Sequence, residues 1–307
     1  MTELAGAVAE AAARLGPRAR RDVPIGPLTT YRVGGSAAVF VDVDDEADLA
    51  ALAAAVAATG APTLAVGRGS NLLVADRGFP GIAFRLGDAF AAIDRSDDDP
   101  SHVLAGGAAS LPVVARRTVG WSLSGFEWAV GVPGSIGGAV RMNAGGHGSD
   151  MAATLVRVRV VDLQGDNDDV VPASALDLRY RGSSIGPASL VVWAELGLEP
   201  GDRAGGEALL SEIVQWRRAN QPGGQNAGSV FTNPPDDSAG RLVDVAGGKG
   251  LRIGSAEVST KHANFIQADE GGSADDVRAL MDEVRARVRA QTGVELVPET
   301  CLVGFDP

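Results

Sequence analysis

The chain has little of what most site chemistries need. Its 307 residues include one cysteine, three histidines and two tyrosines, and aromatic side chains make up 5%. A single cysteine, Cys301, excludes a disulfide framework and points to a reducing compartment. His102, His147 and His262 share no metal-ligand spacing with one another or with Cys301, so no metal centre is expected. No apolar run approaches the ~20 residues of a membrane span. The N-terminal "MTELAGAVAEAAARLGPRARR" lacks the basic-then-apolar order of a secretory leader and reads as a short surface helix. Positive charge is scarce as well: 27 Lys and Arg stand against 39 Asp and Glu, a net charge of −12. That balance argues against general affinity for nucleic acid or anionic membrane, and an anionic ligand needs a local positive pocket. There is no G-x-S-x-G elbow and no Walker A lysine motif.

What is present is glycine. The stretch "GVPGSIGGAVRMNAGG" (131–146) repeats it at Gly131, Gly134 and Gly137, with apolar residues between and almost no charge. Glycine costs conformational entropy, so a dense cluster implies a backbone that must come close to something. Two more glycine turns precede it, "YRVGGSA" (31–37) and "VGRGSNLLVAD" (66–76). Bare turns present successive N–H groups to an anion, and a pyrophosphate needs several such donors. One such turn alone marks a tight bend. Three of them, each bounded by strand-like sequence, point to a bound dinucleotide. "GRGSNL" lacks the third glycine of a Rossmann fingerprint and runs into a strand-like segment, which argues against that fold.

The rest of the pattern is α+β. "SAAVFVDV" (36–43), "TLAV" (63–66), "LLVAD", "GIAFRL", "HVLAGGAA", "TLVRVRVVDL" and "SLVVWAELGLEP" read as strands. Residues 44–60 read as a helix with an acidic start, Leu49, Leu52 and Val56 on one face and Gly60 as its stop. The clearest helix covers 273–293, with Ser273 as cap and Val277, Leu280, Met281, Val284 and Val288 as its buried stripe. Hairpin-like connections dominate and no regular βαβ series appears.

With these segments in view, the chain resembles the UDP-N-acetylenolpyruvoylglucosamine reductases, the MurB family of flavoproteins in bacterial cell-wall synthesis. The motifs that carry the resemblance are "TTYRVGGSA", "VGRGSNLLVADRGFPGI", "GFEWAVGVPGSIGGAVRMNAGGHG", "LRYRGSS", "NAGSVFTNP", "AGRLVDVAGGKGLRIGSAEVSTKHANFI" and "GVELVPETCLVG". They occur in family order from about Pro27 to Gly304. The resemblance implies an FAD-binding module of the vanillyl-alcohol-oxidase (PCMH) type over residues 1–199, with subdomains of about 1–80 and 81–199. A smaller α+β substrate-binding domain, 200–307, then follows, and its C-terminal tail returns to the active site. It also implies a cytoplasmic enzyme with non-covalent FAD and with NADPH as co-substrate. By motif match, Tyr31, Arg32, Gly67, Arg68, Gly69, Ser70, Asn71, Gly131, Pro133, Gly134, Ser135, Gly137 and Gly138 would lie at the cofactor. Gly67 to Asn71 would hold the pyrophosphate, and Val140 to Asn143 would form a strand leaving the site.

The implied activity is that of a UDP-N-acetylmuramate dehydrogenase. Hydride passes from NADPH to FAD, and from flavin N5 to C3 of UDP-N-acetylglucosamine enolpyruvate. Charge then develops at C2 and spreads into the carboxylate. Arg181 in "YRGS" would polarise that carboxylate, a task suited to a planar, bidentate guanidinium. Ser229 in "NAGS" would protonate C2. Glu299 in "VPET" would sit at the substrate carboxylate, protonated or hydrogen-bonded, because two bare carboxylates repel. Asn233 and Lys249 match positions near the substrate and its UDP group. Tyr180 and His262 would pack and hydrogen-bond, and Trp121, Trp128, Trp193 and Trp216 would be core or contact residues.

The ending departs from the family pattern. Val297 replaces a glutamate, Cys301 replaces a basic residue, and His147 stands where a tyrosine is common. Both tyrosines, Tyr31 and Tyr180, precede Arg181, so the substrate-clamping tyrosine of one family subtype is missing and the chain matches the shorter, second subtype. Two other readings keep the fold: an oxidase with covalently bound flavin, and a non-catalytic binder of nucleotide sugars. The second would be expected to have lost one of Arg181, Ser229 or Glu299, and all three are present.

Overall fold

A computed structural model describes residues 2–165 and 167–306. The chain gathers into two compact units that alternate along the sequence. The first holds residues up to Arg21, Val39–Arg68 and Gly81–Arg217, and the second Asp22–Ala38, Gly69–Pro80 and residues from Arg218 onward.

In the first unit, helix α1 (Thr2–Leu15) fulfils the expected N-terminal helix and buries Val8, Ala11 and Leu15. Helix α2 (Glu46–Thr59) starts where the Asp45 side chain accepts from the Asp48 N–H, and it stops at left-handed Gly60. Both ends match the sequence reading. The strand Thr63–Ala65 runs parallel to Ile82–Phe84. A second sheet, all antiparallel, has the order Asp168–Pro172, Leu155–Asp162, Ser189–Gly197, His102–Gly106 and Ile93–Arg95. Helices α3 (Leu111–Gly120), α4 (Ile136–Met142) and α5 (Arg203–Asn220) accompany it. Phe126, Trp128, Ile136, Val140 and Leu196 belong to its continuous core.

One expectation fails here. Val140 to Asn143 is not a strand but the end of helix α4, which closes at Asn143 with φ 39 and ψ 56. Ile136, Ala139 and Val140 are buried at helical spacing. Gly137 and Gly138 masked that spacing, because two glycines lower helix propensity by about 1 kcal/mol each. Packing reverses the preference: a Cβ at Gly137 would stand 3.2 Å from the Val191 carbonyl oxygen and 3.3 Å from that of Gly107. A Cβ there would make these carbonyls or the helix give by a few tenths of an ångström.

In the second unit, the short strands Arg252–Ile253, Ala256–Val258 and Ile266–Ala268 form an antiparallel sheet, joined by helices α6 (Ala239–Val245) and α7 (Ala274–Thr292). The Ser273 side chain accepts from the Asp276 N–H, and Val277, Leu280, Met281, Val284 and Val288 are buried, as the sequence implied. Asp76, the last residue of "LLVAD", accepts from the Ala274 N–H at 3.0 Å and from the Ser273 hydroxyl. Its carboxylate therefore complements the N-terminus of α7. The C-terminal strand Cys301–Val303 runs parallel to Leu72–Val74.

Candidate active site

Within the first unit the glycine segment is pinned by backbone bonds. Leu111 N–H donates to the Gly134 carbonyl, Ile136 N–H to Ala109 and Gly137 N–H to Gly107, all at 2.9–3.0 Å. The N–H groups of Ile136 and Gly137 are thus spent on protein. Gly131 is bare because a Cβ there would meet Arg217 Cδ at 2.8 Å and Ile213 Cγ2 at 3.0 Å on α5. Gly67 faces Ser135: a Cβ at Gly67 would lie 2.7 Å from Ser135 Oγ. Gly138 and Pro133 are exposed, and so is Arg68, for which no ion pair occurs among the described residues.

Arg181 stands at the tip of a two-residue turn. Arg179 N–H donates to the Gly182 carbonyl at 2.9 Å and Gly182 N–H returns to Arg179 at 3.0 Å, leaving Tyr180 and Arg181 between them. Arg181 has φ 58, a left-handed conformation that non-glycine residues adopt at a cost. It is half-buried, and its guanidinium carbon lies 5.0 Å from the Tyr180 ring centroid. Tyr180 is otherwise exposed rather than packed. Trp128 is buried in the core, whereas Trp216 is exposed and meets His147 edge-to-face at 5.1 Å, so of the two expected places, core or contact, it does not take the core. Burial, and then the charge of Arg217, holds His147 below the usual imidazole range, so it is neutral near pH 7.

Within the second unit, Gly69 is left-handed at φ 61, and a Cβ there would stand 2.4 Å from the Leu28 carbonyl oxygen. Thr30 N–H donates to the Gly69 carbonyl at 3.1 Å, so the 28–32 and 69–71 turns lock together. Arg32 is exposed with φ 55 and is in no ion pair among the described residues. Tyr31 is different. Its ring is wholly buried in the core, and its phenol pKa is pushed up by that burial. Only its backbone is left to serve a ligand.

The segments that carry Ser229 and Glu299 run side by side in this unit. Glu299 N–H donates to the Val230 carbonyl at 2.8 Å, Thr232 N–H donates to Val297 at 2.9 Å, and Phe231 bridges Pro298. The segments 229–232 and 297–299 thus form a short ladder. Asn264, missed by the sequence reading, stabilises it from the other side: its Oδ1 accepts from Phe231 N–H at 3.0 Å and its Nδ2 donates to the Phe231 carbonyl at 2.8 Å. A buried asparagine inside the apolar "HANFI" was the available signal.

The two substrate candidates are occupied by protein. Asn233 Oδ1 accepts from the Ala239 N–H at 3.0 Å at the start of α6, and Lys249 Nζ pairs with Asp244 at 2.6 Å. No group of three or more His, Cys, Asp or Glu positioned for a metal occurs among the described residues.

Comparison with known proteins gives a consistent result. A family model described as "UDP-N-acetylenolpyruvoylglucosamine reductase, C-terminal domain" matches residues 220–303, and one described as "FAD binding domain" matches 37–167. A UDP-N-acetylenolpyruvoylglucosamine reductase of Heliobacterium modesticaldum is 44% identical over 284 residues, 92% of this chain and 89% of that protein. A second, from Symbiobacterium thermophilum, is 40% identical over 94% of each chain. The crystal structure of UDP-N-acetylenolpyruvylglucosamine reductase from Thermus caldophilus superposes with TM-score 0.80 at 33% identity, covering 93% of this chain and 99% of that one.

Proposed function

Because the chain belongs to the UDP-N-acetylenolpyruvoylglucosamine reductase family, we propose that its chemistry rests on Arg181, Ser229 and Glu299. The protein is a UDP-N-acetylmuramate dehydrogenase of peptidoglycan precursor synthesis and uses FAD and NADPH. No helix among the described residues is long and apolar enough to cross a membrane. We assign the enzyme to the cytoplasm and to the shorter subtype without a clamping tyrosine. We also assign residues 1–199 to cofactor binding and 200–307 to substrate binding.

The residues present fit a dinucleotide. Gly67 offers bare backbone against Ser135 Oγ, in a place that a Cβ would fill. Arg68 and Arg32 add exposed cations that no carboxylate neutralises among the described residues, in a chain of net charge −12. In the first unit Gly67, Arg68, Pro133, Gly134, Ser135 and Gly138 would hold FAD, with Gly131 and Gly137 bare for internal packing. In the second unit Arg32, Gly69, Ser70 and Asn71 would hold it, with Tyr31 acting through its backbone. When bound, and without a covalent link, FAD supplies to the enolpyruvyl C3 the hydride that it accepts from NADPH.

The side chains handle the charge and the proton. Arg181 opposes the negative charge that spreads from C2 into the substrate carboxylate. Ser229 Oγ–H delivers a proton to C2 once that carbon is basic. Glu299 sits at the same carboxylate, protonated or hydrogen-bonded, since two bare carboxylates would repel. Asn233 lies close to the substrate, and Lys249 takes the uridine diphosphate by exchanging Asp244 for phosphate. The observation that carries this reading is the Glu299 N–H bond to the Val230 carbonyl, which sets Glu299 beside the residue after Ser229.

The test is direct. Purified protein should be yellow and release FAD on acid precipitation. It should oxidise NADPH rapidly only when UDP-N-acetylglucosamine enolpyruvate is present. Flavin left in the acid pellet would favour the covalent-oxidase reading, and substrate-independent turnover would contradict the reductase.

A further inference from the structure

We infer that Asn143 is a positioning residue for Arg181, an inference that rests on the role proposed above for that arginine. Asn143 is 3% exposed and makes three side-chain bonds. Its Nδ2 donates to the Arg179 carbonyl and to Asp150 Oδ2, both at 3.2 Å, and its Oδ1 accepts from the Ala152 N–H at 2.9 Å. The Arg179 carbonyl is also the acceptor for Gly182 N–H, the bond that closes the turn under Arg181. Asn143 therefore grips the closing atom of that turn. A second tie comes from the same helix end: Ser183 Oγ–H donates to the Arg141 carbonyl at 2.7 Å. The last residues of α4 thus hold both sides of the Arg181 turn, at 179 and at 183.

Backbone conformation does not explain an asparagine here. Asn143 is left-handed, a state that glycine adopts with less cost. What the position requires is an amide that donates twice and accepts once, which neither aspartate, alanine nor glycine supplies. The turn it anchors carries a left-handed arginine, a conformation that persists only when the surroundings over-determine it.

Asn143→Gly removes the three bonds and keeps the left-handed backbone. On the holoenzyme, it should slow reoxidation of the reduced flavin by substrate about 10- to 100-fold, the effect of misplacing a catalytic group by about 1 Å. Flavin reduction by NADPH and FAD content should stay at the wild-type level. Affinity for UDP-N-acetylmuramate, whose carboxylate Arg181 would contact, should fall in calorimetry. In an Arg181→Ala background the same substitution should change neither reoxidation nor product affinity by more than about twofold, because coupled residues are not additive. Ser183→Ala should give a weaker version of the pattern, and it decides the matter if Asn143→Gly does not fold. Full additivity with Arg181→Ala, or equal slowing of both half-reactions, would overturn the inference. If Arg181→Ala alone reoxidises like wild type, the catalytic reading of Arg181 fails instead.

Discussion

The Asn71 side-chain amide donates to the Glu299 carbonyl at 3.0 Å across 228 residues of sequence. Cys301 N–H returns to the Asn71 carbonyl at 2.9 Å, and Cys301–Val303 then pairs with Leu72–Val74. Residues 69–71 and the segment bearing Glu299 are consequently one piece of the second unit. Asn71→Ala should lower stability by about 1 kcal/mol, as the loss of one hydrogen bond implies. It should also slow substrate-dependent flavin reoxidation. Stopped-flow traces that match wild type would show that Glu299 is placed without Asn71.

Gly67→Ala puts a methyl group 2.7 Å from Ser135 Oγ. The serine must rotate or the loop must shift, and either change spoils a bare surface. FAD content after purification should drop sharply while the circular-dichroism spectrum holds. Full FAD occupancy in a folded variant would place the cofactor elsewhere.

Lys249→Ala removes a cation that now pairs with Asp244. If the diphosphate replaces that carboxylate, KM for the UDP substrate should rise about 10-fold or more, since a charge-assisted hydrogen bond contributes about 1.5–3 kcal/mol. KM for NADPH should hardly move. Equal effects on the two substrates would leave Lys249 as a surface ion pair.

Stability should fall in acid partly through Asp276. The Ser255 N–H and then its hydroxyl, at 2.7 and 2.8 Å, hold this carboxyl below the usual carboxylate range. A depressed folded-state pKa means stability that is present above the unfolded value, about 3.9. It is lost as pH falls through the lower folded value. Asp276→Asn should cost about 1 kcal/mol at pH 7 and flatten the decline of Tm below pH 4. An unchanged acid limb would show that the bonded carboxylate contributes nothing.

Much of this was legible in sequence, for identifiable reasons. Helices α2 and α7 carry cap residues, left-handed glycine stops and apolar stripes within one contiguous window, so local rules find them. Helix α4 escaped because Gly137 packs against the Val191 and Gly107 carbonyls, which no local rule sees. Asn143 and Asn264 escaped because one partner of each, Arg179 and Phe231, lies 36 and 33 residues away. Tyr31 matched a cofactor motif, yet its ring is core, because a motif fixes the chain path and not the direction of each side chain. Lys249 matched a position near the UDP group, yet its ammonium is paired with Asp244, five positions earlier. The alternation of the two units along the chain has no compositional signature.

In the proposed mechanism Ser229 acts in one half-reaction only. In stopped-flow absorbance, Ser229→Ala should be bleached by NADPH at the wild-type rate, because no proton is needed at C2 in that step. Reoxidation by UDP-N-acetylglucosamine enolpyruvate should slow by at least about 10²-fold, the usual cost of losing a positioned proton donor. Substrate affinity should change little, since one neutral hydrogen bond contributes about 1 kcal/mol. Reoxidation as fast as in wild type would make Ser229 a turn residue and would contradict the mechanism.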